Sequence, residues 1–521
     1  MRIKENRWSE LFLFLSILLG GIVRFSPTFL SGTIINDGGM FFVMIEDLMA
    51  NHFFLPAFTS YNHLGIPFVY PPFSFYAGGI LSLLGIPLED IIRWLPPLVS
   101  TLSIPVFYWL AGLILNSQMK ASFATLAYAL MPRTFSWYVM GGGLSRAFGI
   151  FFLLLTCSFA WILFTRPSFK YIFLTALFGA GAVLSHPETG LHTAAACFLI
   201  WLINYRRDKR SIKDIVFVIV GVLLLTSPWW AAVLVQHGLA PFQSAFGTGG
   251  QTAFFWLSWI TLDFAEERFI ALITVLGLIG FAVQIGRREW FLPVWMLAAF
   301  AVEPRSASAI AALPLAMMAG IGLSDVVIPK ITTLTSKSEN ETIASTEDLI
   351  QGRTPQAIIA CVMLLAFFGA YFYDFSLARY VVTPPSRAAM DWVFNHTSPE
   401  SRFIVLTGAS NPYSDPFVEW FPVYSGRTSL NTIQGQEWTL GKTFEPFLQS
   451  LATLQGCVND SPSCVIDWAV SNHLSFEYIF IEKPQDNKIL QMSGLLLYQL
   501  RQDSRYSLVF ENNGAAIFAR K

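Results

Sequence analysis

Charged residues are scarce in this sequence. They make up 13% of the 521 residues, whereas a soluble domain usually has about 25%. Hydrophobic residues make up 54% of the chain, which is more than one soluble core requires and indicates many membrane spans. The net charge is −1, so the composition gives no indication of nucleic-acid binding. We therefore expect a polytopic α-helical membrane protein.

Cysteines are also few, and only two of the five lie in polar sequence. Cys157, Cys197 and Cys361 lie in apolar runs, where we expect them to act as inert packing residues. Cys457 and Cys464 flank six residues in "CVNDSPSC". A disulfide bond between them is expected if this part of the chain is exported to an oxidising compartment.

Long apolar runs dominate the first 374 residues, and eleven of them predict transmembrane helices. The segment 70–86 is apolar as well, and we expect it to dip into the outer leaflet. If some of these runs are divided differently, the total is about 11–13 membrane spans. The eleven runs are 10–26, 94–115, 120–139, 146–165, 171–185, 190–205, 214–235, 269–286, 289–302, 306–324 and 355–373.

The positions of Lys and Arg predict the orientation of these spans, because basic loops favour the cytoplasm. Placing the N-terminus and the basic loops inside puts the long loop 27–93 outside, together with the region 375–521. The basic segments are Arg166–Lys170, Arg206–Lys213, Arg287–Arg288 and the stretch 327–354.

Two of the outer turns are expected to lie below the membrane surface. A helix rises only about 24 Å from Lys170 to His186 and about 22 Å from Arg288 to Glu303, which is less than the hydrocarbon thickness of about 30 Å. Ionisable groups at such a depth require a water-filled cavity or protein partners. The sequence therefore predicts a polar cavity that opens outward.

The first outer loop contains three carboxylates and two glycines in "NDGGMFFVMIEDL". One interpretation makes Asp37 a base or an orienting carboxylate. With Glu46 and Asp47 it could then form a ligand set for a divalent cation such as Mg²⁺ or Mn²⁺. The alternative is that Asp37 caps the helix that follows it, a common role for Asp.

The segment "GGGLSRAFG" at 141–149 ends one span and begins the next. Three glycines could expose backbone amides and Arg146 supplies a cation, a combination that suits a phosphate group. The alternative is a tight turn in which Arg146 reaches the lipid headgroups.

Two further outer turns carry ionisable residues. "SHPETGLHT" contains His186, Glu188 and His192 beside helix-breaking Pro and Gly, and "EPRSAS" contains Glu303 and Arg305. The histidine spacing does not match a zinc helix motif. We expect both turns to bind substrate or lipid phosphate, with Arg305 matching a phosphate. The alternative for the second turn is a self-contained ion pair.

The region 375–521 differs in character and predicts a soluble α/β domain. "AAMDWVFNH" has the pattern of an amphipathic helix. "RFIVLTG", "YIFIEK" and "YSLVFENNGAAIFARK" are typical of strands, the last with an Asn-Asn-Gly hairpin turn. This region lacks a nucleophile elbow, a Walker loop and a dinucleotide fingerprint.

Several motifs together resemble membrane glycosyltransferases of the GT-C fold. They are the Asp-bearing first outer loop, "YPPF", "HPETG" and a C-terminal series "AMDWV", "SRFIVLTG", "DPFVEWFP" and "QGQEW". The most similar members are uncharacterised prokaryotic proteins, some described as membrane proteins related to 6-pyruvoyl-tetrahydropterin synthase. The resemblance covers most of the chain.

The resemblance implies a polyprenyl-phosphate-linked sugar as donor and transfer on the extracytoplasmic side, with inversion. Asp37 matches the acidic residue that assists the acceptor in relatives, and Tyr70 of "YPPF" is a further candidate for substrate binding. Some relatives have an Asp-x-Asp motif where this chain has Asp37 alone, which leaves metal dependence open.

Two other functions compete with this interpretation. A flippase or transporter of lipid-linked sugars is expected to have paired internal repeats, which we do not find. A non-catalytic envelope scaffold could use the aromatic residues of "EWFP" and "QGQEW" as an interaction surface. The glycosyltransferase interpretation instead places these residues over the mouth of the cavity.

Overall fold

The computed structural model describes residues 2–205, 209–247, 265–335, 349, 352–483 and 494–521. Up to residue 377 the described chain is mainly helical. Its helices are α1 (Arg2–Ser31), α2 (Gly39–Ala50), α3 (Phe73–Leu83), α4 (Leu88–Leu115), α5 (Gln118–Leu130), α6 (Gly143–Thr165), α7 (Phe169–Ser185), α8 (Pro187–Asn204), α9 (Lys209–His237), α10 (Ala240–Gly247), α11 (Leu272–Gly286), α12 (Phe291–Val302), α13 (Ala307–Gly322), α14 (Ile328–Thr335) and α15 (Arg353–Leu377). Most of the basic stretch 327–354 lies outside the described residues, as does the start of the basic loop 206–213.

Each of the eleven apolar runs coincides with a helix, but one is shorter than expected. The run 120–139 is helical only to Leu130, because Met131 precedes Pro132 and is extended. Within the described residues, six helices are long and apolar enough to cross a membrane. The segment 70–86 contains only α3, whose 11 residues rise about 17 Å. This length falls short of a span.

Helix α13 lies at the centre of the membrane part. All of its residues from Ile310 to Gly322 are buried. Small residues permit this packing: a Cβ at Gly280 in α11 would lie 1.8 Å from the Met318 carbonyl oxygen. Close backbone approach at small residues is the usual way in which membrane helices associate.

A buried arginine joins three of the membrane helices. Arg24 of α1 is completely buried and donates to Ser100 Oγ of α4 at 3.0 Å and to the Ala129 carbonyl of α5 at 2.6 Å. Its guanidinium also lies over the Tyr128 and Phe135 rings. These partners offset the cost of a charge in an apolar interior.

The C-terminal region contains a five-stranded mixed sheet in the order β4 (Thr428–Ser429), β3 (Arg402–Leu406), β5 (Tyr478–Glu482), β7 (Ala515–Arg520) and β6 (Tyr506–Glu511). Strands β3 and β5 pair in parallel, with Ile404 opposite Ile479, and β6 and β7 form an antiparallel hairpin. The strand, hairpin and helix predictions for this region are confirmed. A short antiparallel pair, β1 (Phe58–Thr59) and β2 (Ile66–Pro67), lies in the first outer loop. The elements are α16 (Pro384–His396), β3 (Arg402–Leu406), α17 (Pro416–Ser425), β4 (Thr428–Ser429), α18 (Phe444–Gly456), α19 (Pro462–Ser471), β5 (Tyr478–Glu482), α20 (Gly494–Gln502), β6 (Tyr506–Glu511) and β7 (Ala515–Arg520).

Helices cover both faces of this sheet, and its central strands are therefore buried on both sides. Phe403 and Phe480 face α16 and α17, and Ile404 and Ile479 face α18, α19 and α20. Cys457 and Cys464 form the expected disulfide bond between the end of α18 and α19. The domain boundary between residues 374 and 375 stays a prediction.

The first outer loop holds the sheet region in place through specific hydrogen bonds. Tyr61 Oη donates to the Glu419 carbonyl at 2.6 Å, and Trp420 Nε1 donates to the Asn36 carbonyl at 2.8 Å. The Asn62 amide pairs with both backbone groups of Ser429, at 2.7 and 2.9 Å. Trp420 is buried in this contact and is not part of an exposed aromatic surface.

Candidate active site

Asp37 lies in the short connection between α1 and α2, and its side chain points to the start of α6. Its Oδ1 accepts a hydrogen bond from the Gly142 amide at 2.9 Å, and its Oδ2 accepts one from Arg146 Nη2 at 2.7 Å. Helix α2 has Gly38 at its N-cap, with no side-chain cap from that residue. The interpretation of Asp37 as the cap of the following helix is therefore wrong.

Two glycines make this approach possible. A Cβ at Gly142 would lie 2.3 Å from Asp37 Oδ2, and one at Gly141 would lie 2.0 Å from the Asp37 carbonyl oxygen. Neither distance is compatible with a side chain. The run of three glycines was correctly singled out in the sequence. In the structure, two of these glycines allow close packing against the loop that contains Asp37.

The amides of these glycines are not available to a phosphate group. Those of Gly141 and Gly143 donate to the carbonyl groups of Ile35 and Met140, at 3.0 and 2.9 Å, and that of Gly142 donates to Asp37. The predicted phosphate site made of exposed amides is therefore wrong in this detail.

Arg146 is the cation of this segment. Besides Asp37, it contacts the Trp137 carbonyl through Nη1 at 3.2 Å, and its guanidinium lies 5.4 Å from the centre of the Trp137 ring. About a quarter of its side chain remains exposed. These two hydrogen bonds use two of the five N–H donors of a guanidinium.

The turns that contain His186 and Glu303 lie side by side, whereas their depth below the membrane surface stays a prediction. Arg305 Nη1 lies 3.5 Å from Glu188 Oε1, and His192 Nε2 lies 3.7 Å from Glu303 Oε2. Glu303 also accepts from the Arg305 and Ser306 amides at 2.6 and 2.9 Å. Glu303 therefore stabilises the turn that directly precedes α13.

The alternative of a self-contained ion pair in "EPRSAS" is wrong. The Arg305 side chain reaches Glu188 on the other turn and also lies over the Tyr413 ring, at 5.7 Å from its centre. Half of the Arg305 side chain is exposed. It is therefore a second cation that can meet an anionic group.

Tyr70 lies between the two groups of charges. Its ring is 6.3 Å from that of His186 and 4.8 Å from that of Phe41. The charges of Arg146, Glu188 and Arg305 all act on its hydroxyl group, whose pKa is raised by burial. Tyr70 therefore lies against the turn that contains His186, and the charges of both arginines act on its hydroxyl group.

The sequence did not identify Glu419 as a site residue. Its Oε1 accepts hydrogen bonds from the Gly38 and Gly39 amides, at 2.8 and 2.9 Å, directly after Asp37. Burial and the neighbouring charge of Asp37 raise the pKa of Glu419 to about 8. The only signal in the sequence is an acidic residue inside the apolar run "DPFVEWFP".

The predicted metal-ligand set is not assembled. Glu46 is exposed, and Asp47 accepts hydrogen bonds from Thr59 Oγ1 at 2.6 Å and from the Ser60 amide and hydroxyl at 2.8 and 2.7 Å. In the ranges that the structure describes, no group of three His, Cys, Asp or Glu side chains could hold a metal ion. Asp37, Glu46 and Asp47 thus do not fit a shared divalent cation.

Comparisons with known proteins agree with this architecture. A family model described as dolichyl-phosphate-mannose-protein mannosyltransferase matches residues 69–231. The structure is similar to the oligosaccharyltransferase AglB from Archaeoglobus fulgidus in complex with an inhibitory peptide and a dolichol-phosphate. Identity is 14%, the match covers 99% of this chain and 74% of that chain, and the TM-score is 0.54.

A second similar structure is ArnT from Cupriavidus metallidurans. In the apo state it has 14% identity and a TM-score of 0.54, with 99% of this chain and 98% of that chain covered. Its complex with undecaprenyl phosphate has a TM-score of 0.50 at the same identity and coverage. This chain has the GT-C fold. A search of curated protein sequences found no match.

The GT-C fold confirms the fold expected from the sequence: a multi-pass membrane protein with a C-terminal α/β region. One structure of the Archaeoglobus fulgidus oligosaccharyltransferase is a complex with Zn and sulfate. In this chain Asp37 and Asp47 are held by different groups: Asp37 accepts from Gly142 and Arg146, and Asp47 accepts from Thr59 and Ser60.

Proposed function

We propose that this chain is a membrane glycosyltransferase. It moves a sugar from a polyprenyl-phosphate donor to an acceptor on the extracytoplasmic side. The observation that carries the proposal is the Asp37–Arg146 pair, which places a carboxylate next to a partly exposed cation. Both groups are required when a nucleophile displaces a lipid phosphate: one receives a proton and the other meets the developing negative charge.

In this mechanism Asp37 is the catalytic base or orienting group for the acceptor. Each of its carboxylate oxygens accepts one hydrogen bond from the protein and has a second lone pair available. The acceptor attacks the anomeric carbon and passes its proton to Asp37. The bond from that carbon to the phosphate oxygen breaks, and its electron pair leaves with the lipid phosphate. A single displacement of this kind inverts the anomeric configuration.

Arg146 and Arg305 bind the phosphate of the donor and of the leaving group. The planar guanidinium group of arginine can donate two parallel hydrogen bonds to phosphate oxygens, and it remains charged at every relevant pH. The region between the two arginines is shaped by five further residues, which are Tyr70, His186, Glu188, His192 and Glu303. Glu188 lies 3.5 Å from Arg305 and holds its side chain beside the proposed site. When the donor enters from the membrane, Arg305 can turn from Glu188 toward the phosphate.

The proposed orientation has the N-terminus in the cytoplasm and the region 375–521 outside. The proposed site residues lie in the segments 27–93, 141–146, 186–192 and 303–305, which the proposed orientation puts at the extracytoplasmic end of the membrane helices. Several of the helices that end there are joined at their other ends by the basic segments 166–170, 206–213, 287–288 and 327–354, which favour the cytoplasm.

A deletion strain provides the test. Glycans of the cell envelope are profiled in the strain alone and after complementation with the wild type, Asp37→Asn or Asp90→Asn at equal expression. Asp90 lies in the first turn of α4 and serves as the matched control. We expect the wild type and Asp90→Asn to restore a missing glycan and Asp37→Asn not to. Restoration by Asp37→Asn would favour the scaffold or the flippase.

A further inference from the structure

Glu419 of α17 reaches from the sheet region into the connection that carries Asp37. Its Oε1 accepts from two consecutive backbone amides, Gly38 at 2.8 Å and Gly39 at 2.9 Å. Its Oε2 accepts from Gln434 Nε2 at 2.9 Å. Both oxygens are thus occupied by N–H donors, and the side chain is buried.

These bonds replace the cap that helix α2 lacks. The first amides of a helix have no partner within it, and Gly38 at the N-cap has no side chain to supply one. A carboxylate at this position also interacts favourably with the helix dipole. The cap comes from a residue 381 positions away along the chain.

The local packing leaves little space for a larger residue at position 38 or 39. A Cβ at Gly39 would lie 2.9 Å from the Glu419 carbonyl oxygen, and Gly38 has a φ of 114°, which residues with side chains rarely adopt. The connection is thus held on both sides. Gly142 and Arg146 bind the Asp37 side chain, and Glu419 binds the backbone that follows it.

We propose that Glu419 is a positioning residue for Asp37, so that the C-terminal region completes the active site. Gln434 orients Glu419, Glu419 fixes the Gly38 and Gly39 amides, and these fix the backbone from which the Asp37 side chain extends. The inference rests on the proposed function for the role of Asp37, whereas the hydrogen bonds themselves do not depend on it.

The test compares Glu419→Ala and Glu419→Gln with Glu477→Gln in the full-length protein. Glu477 is the matched control, because its Oε2 also accepts from a backbone amide, that of Arg402 at 2.6 Å, where the neighbouring strands β3 and β5 begin. Three quantities are measured: hydrogen–deuterium exchange of the peptide that contains Gly38 and Gly39, binding of undecaprenyl phosphate, and the rate of glycan formation in isolated membranes of the complemented strain.

We expect Glu419→Ala to raise amide exchange in this peptide and to lower the rate at least about tenfold, with lipid binding within about twofold of wild type. Glu419→Gln keeps one acceptor oxygen and should fall in between. Glu477→Gln should behave as wild type in all three measurements. Unchanged lipid binding separates positioning from loss of the fold, which would raise amide exchange throughout the protein and lower both lipid binding and the rate.

Wild-type exchange or a wild-type rate in Glu419→Ala would overturn the inference. If Glu419→Ala does not fold, a wild-type rate in Glu419→Gln would overturn it instead. Asp37→Asn is measured alongside. Full activity of Asp37→Asn would overturn the proposed function, whereas full activity of Glu419→Ala beside an inactive Asp37→Asn would overturn this inference alone.

Discussion

Arg146 Nη2 lies 2.7 Å from Asp37 Oδ2, and this ion pair is not sealed from solvent: 26% of the Arg146 side chain and 13% of the Asp37 side chain are exposed. The pair joins the first outer loop to the start of α6, across 109 positions of sequence. Both groups are therefore accessible to solvent, as the proposed transfer requires.

Arg146→Lys should lower the transfer rate at least about tenfold, because a lysine cannot reproduce a planar fork that contacts three groups. Arg146 contacts Asp37, the Trp137 carbonyl and the Trp137 ring. Arg93→Lys is the control, since Arg93 also lies over a tryptophan ring, that of Trp94. The rate is measured in isolated membranes, and an equal decrease in both variants would contradict a specific role for Arg146.

Gly142→Ala should displace Asp37 and abolish most of the activity. The added Cβ would lie 2.3 Å from Asp37 Oδ2 and 2.6 Å from its Cγ. Gly112→Ala in α4 adds the same atom where no described atom beyond its own helix backbone lies within 4 Å, so it should be tolerated or stabilise the helix by about 1 kcal/mol. The two variants are compared by transfer rate and by thermal unfolding in detergent. Activity of Gly142→Ala equal to that of Gly112→Ala would contradict the geometry.

Glu46→Gln should leave the transfer rate within about twofold of wild type, the range expected of a surface substitution. Glu46 is exposed on α2 and belongs to no three-ligand cluster among the described residues. The measurement is the rate in isolated membranes with Asp37→Asn as the inactive reference. A loss as large as that of Asp37→Asn would support the metal-ligand set that the sequence suggested.

Apolar runs, turn residues and the strand pattern could be predicted because they follow from local sequence. The predicted strand "RFIVLTG" corresponds to β3 and the hairpin turn to the β6–β7 connection. The run 120–139 was predicted too long, although Pro132 marked the end of the helix. Hydrophobic periodicity indicates helices and strands, but it does not indicate the path of the chain after a proline has ended a helix.

The partners of the site residues could not be predicted, because each pairing joins distant parts of the chain. Asp37 and Arg146 were both candidates, but nothing local distinguishes a helix cap from an ion pair across 109 positions. Glu419 lies in an apolar run and acquires its role only when α17 packs on the first outer loop. The glycine amides at 141–143 looked free because their acceptors lie outside that segment.

Cys457 and Cys464 should be oxidised in cells, and the other three cysteines should be free thiols. Disulfide bonds persist in oxidising compartments outside the cytoplasm, so this measurement also tests the proposed orientation. Cells are denatured and treated with a maleimide that changes the gel mobility. We expect three labels without reductant and five with it. In Cys457→Ser, four labels should appear in both conditions. Five labels on the wild type without reductant would place this region in the cytoplasm.

The transfer rate should rise as the pH rises through about 8, because burial and the charge of Asp37 raise the pKa of Glu419 to about 8. Below this pH the Glu419 carboxyl is mainly protonated, and above it the carboxylate accepts stronger, charge-assisted hydrogen bonds from Gly38 and Gly39. The other ionisable groups that act on it are Arg146 and Tyr61.

The rate is measured in isolated membranes between about pH 6 and pH 9, a range in which such a group titrates. Glu419→Gln carries no titrating group at this position and should lose the rise, whereas Glu477→Gln should retain it. A profile of Glu419→Gln that rises like that of the wild type would assign the titration to another group. It would also mean that protonation of Glu419 does not control how firmly the Asp37 connection is held.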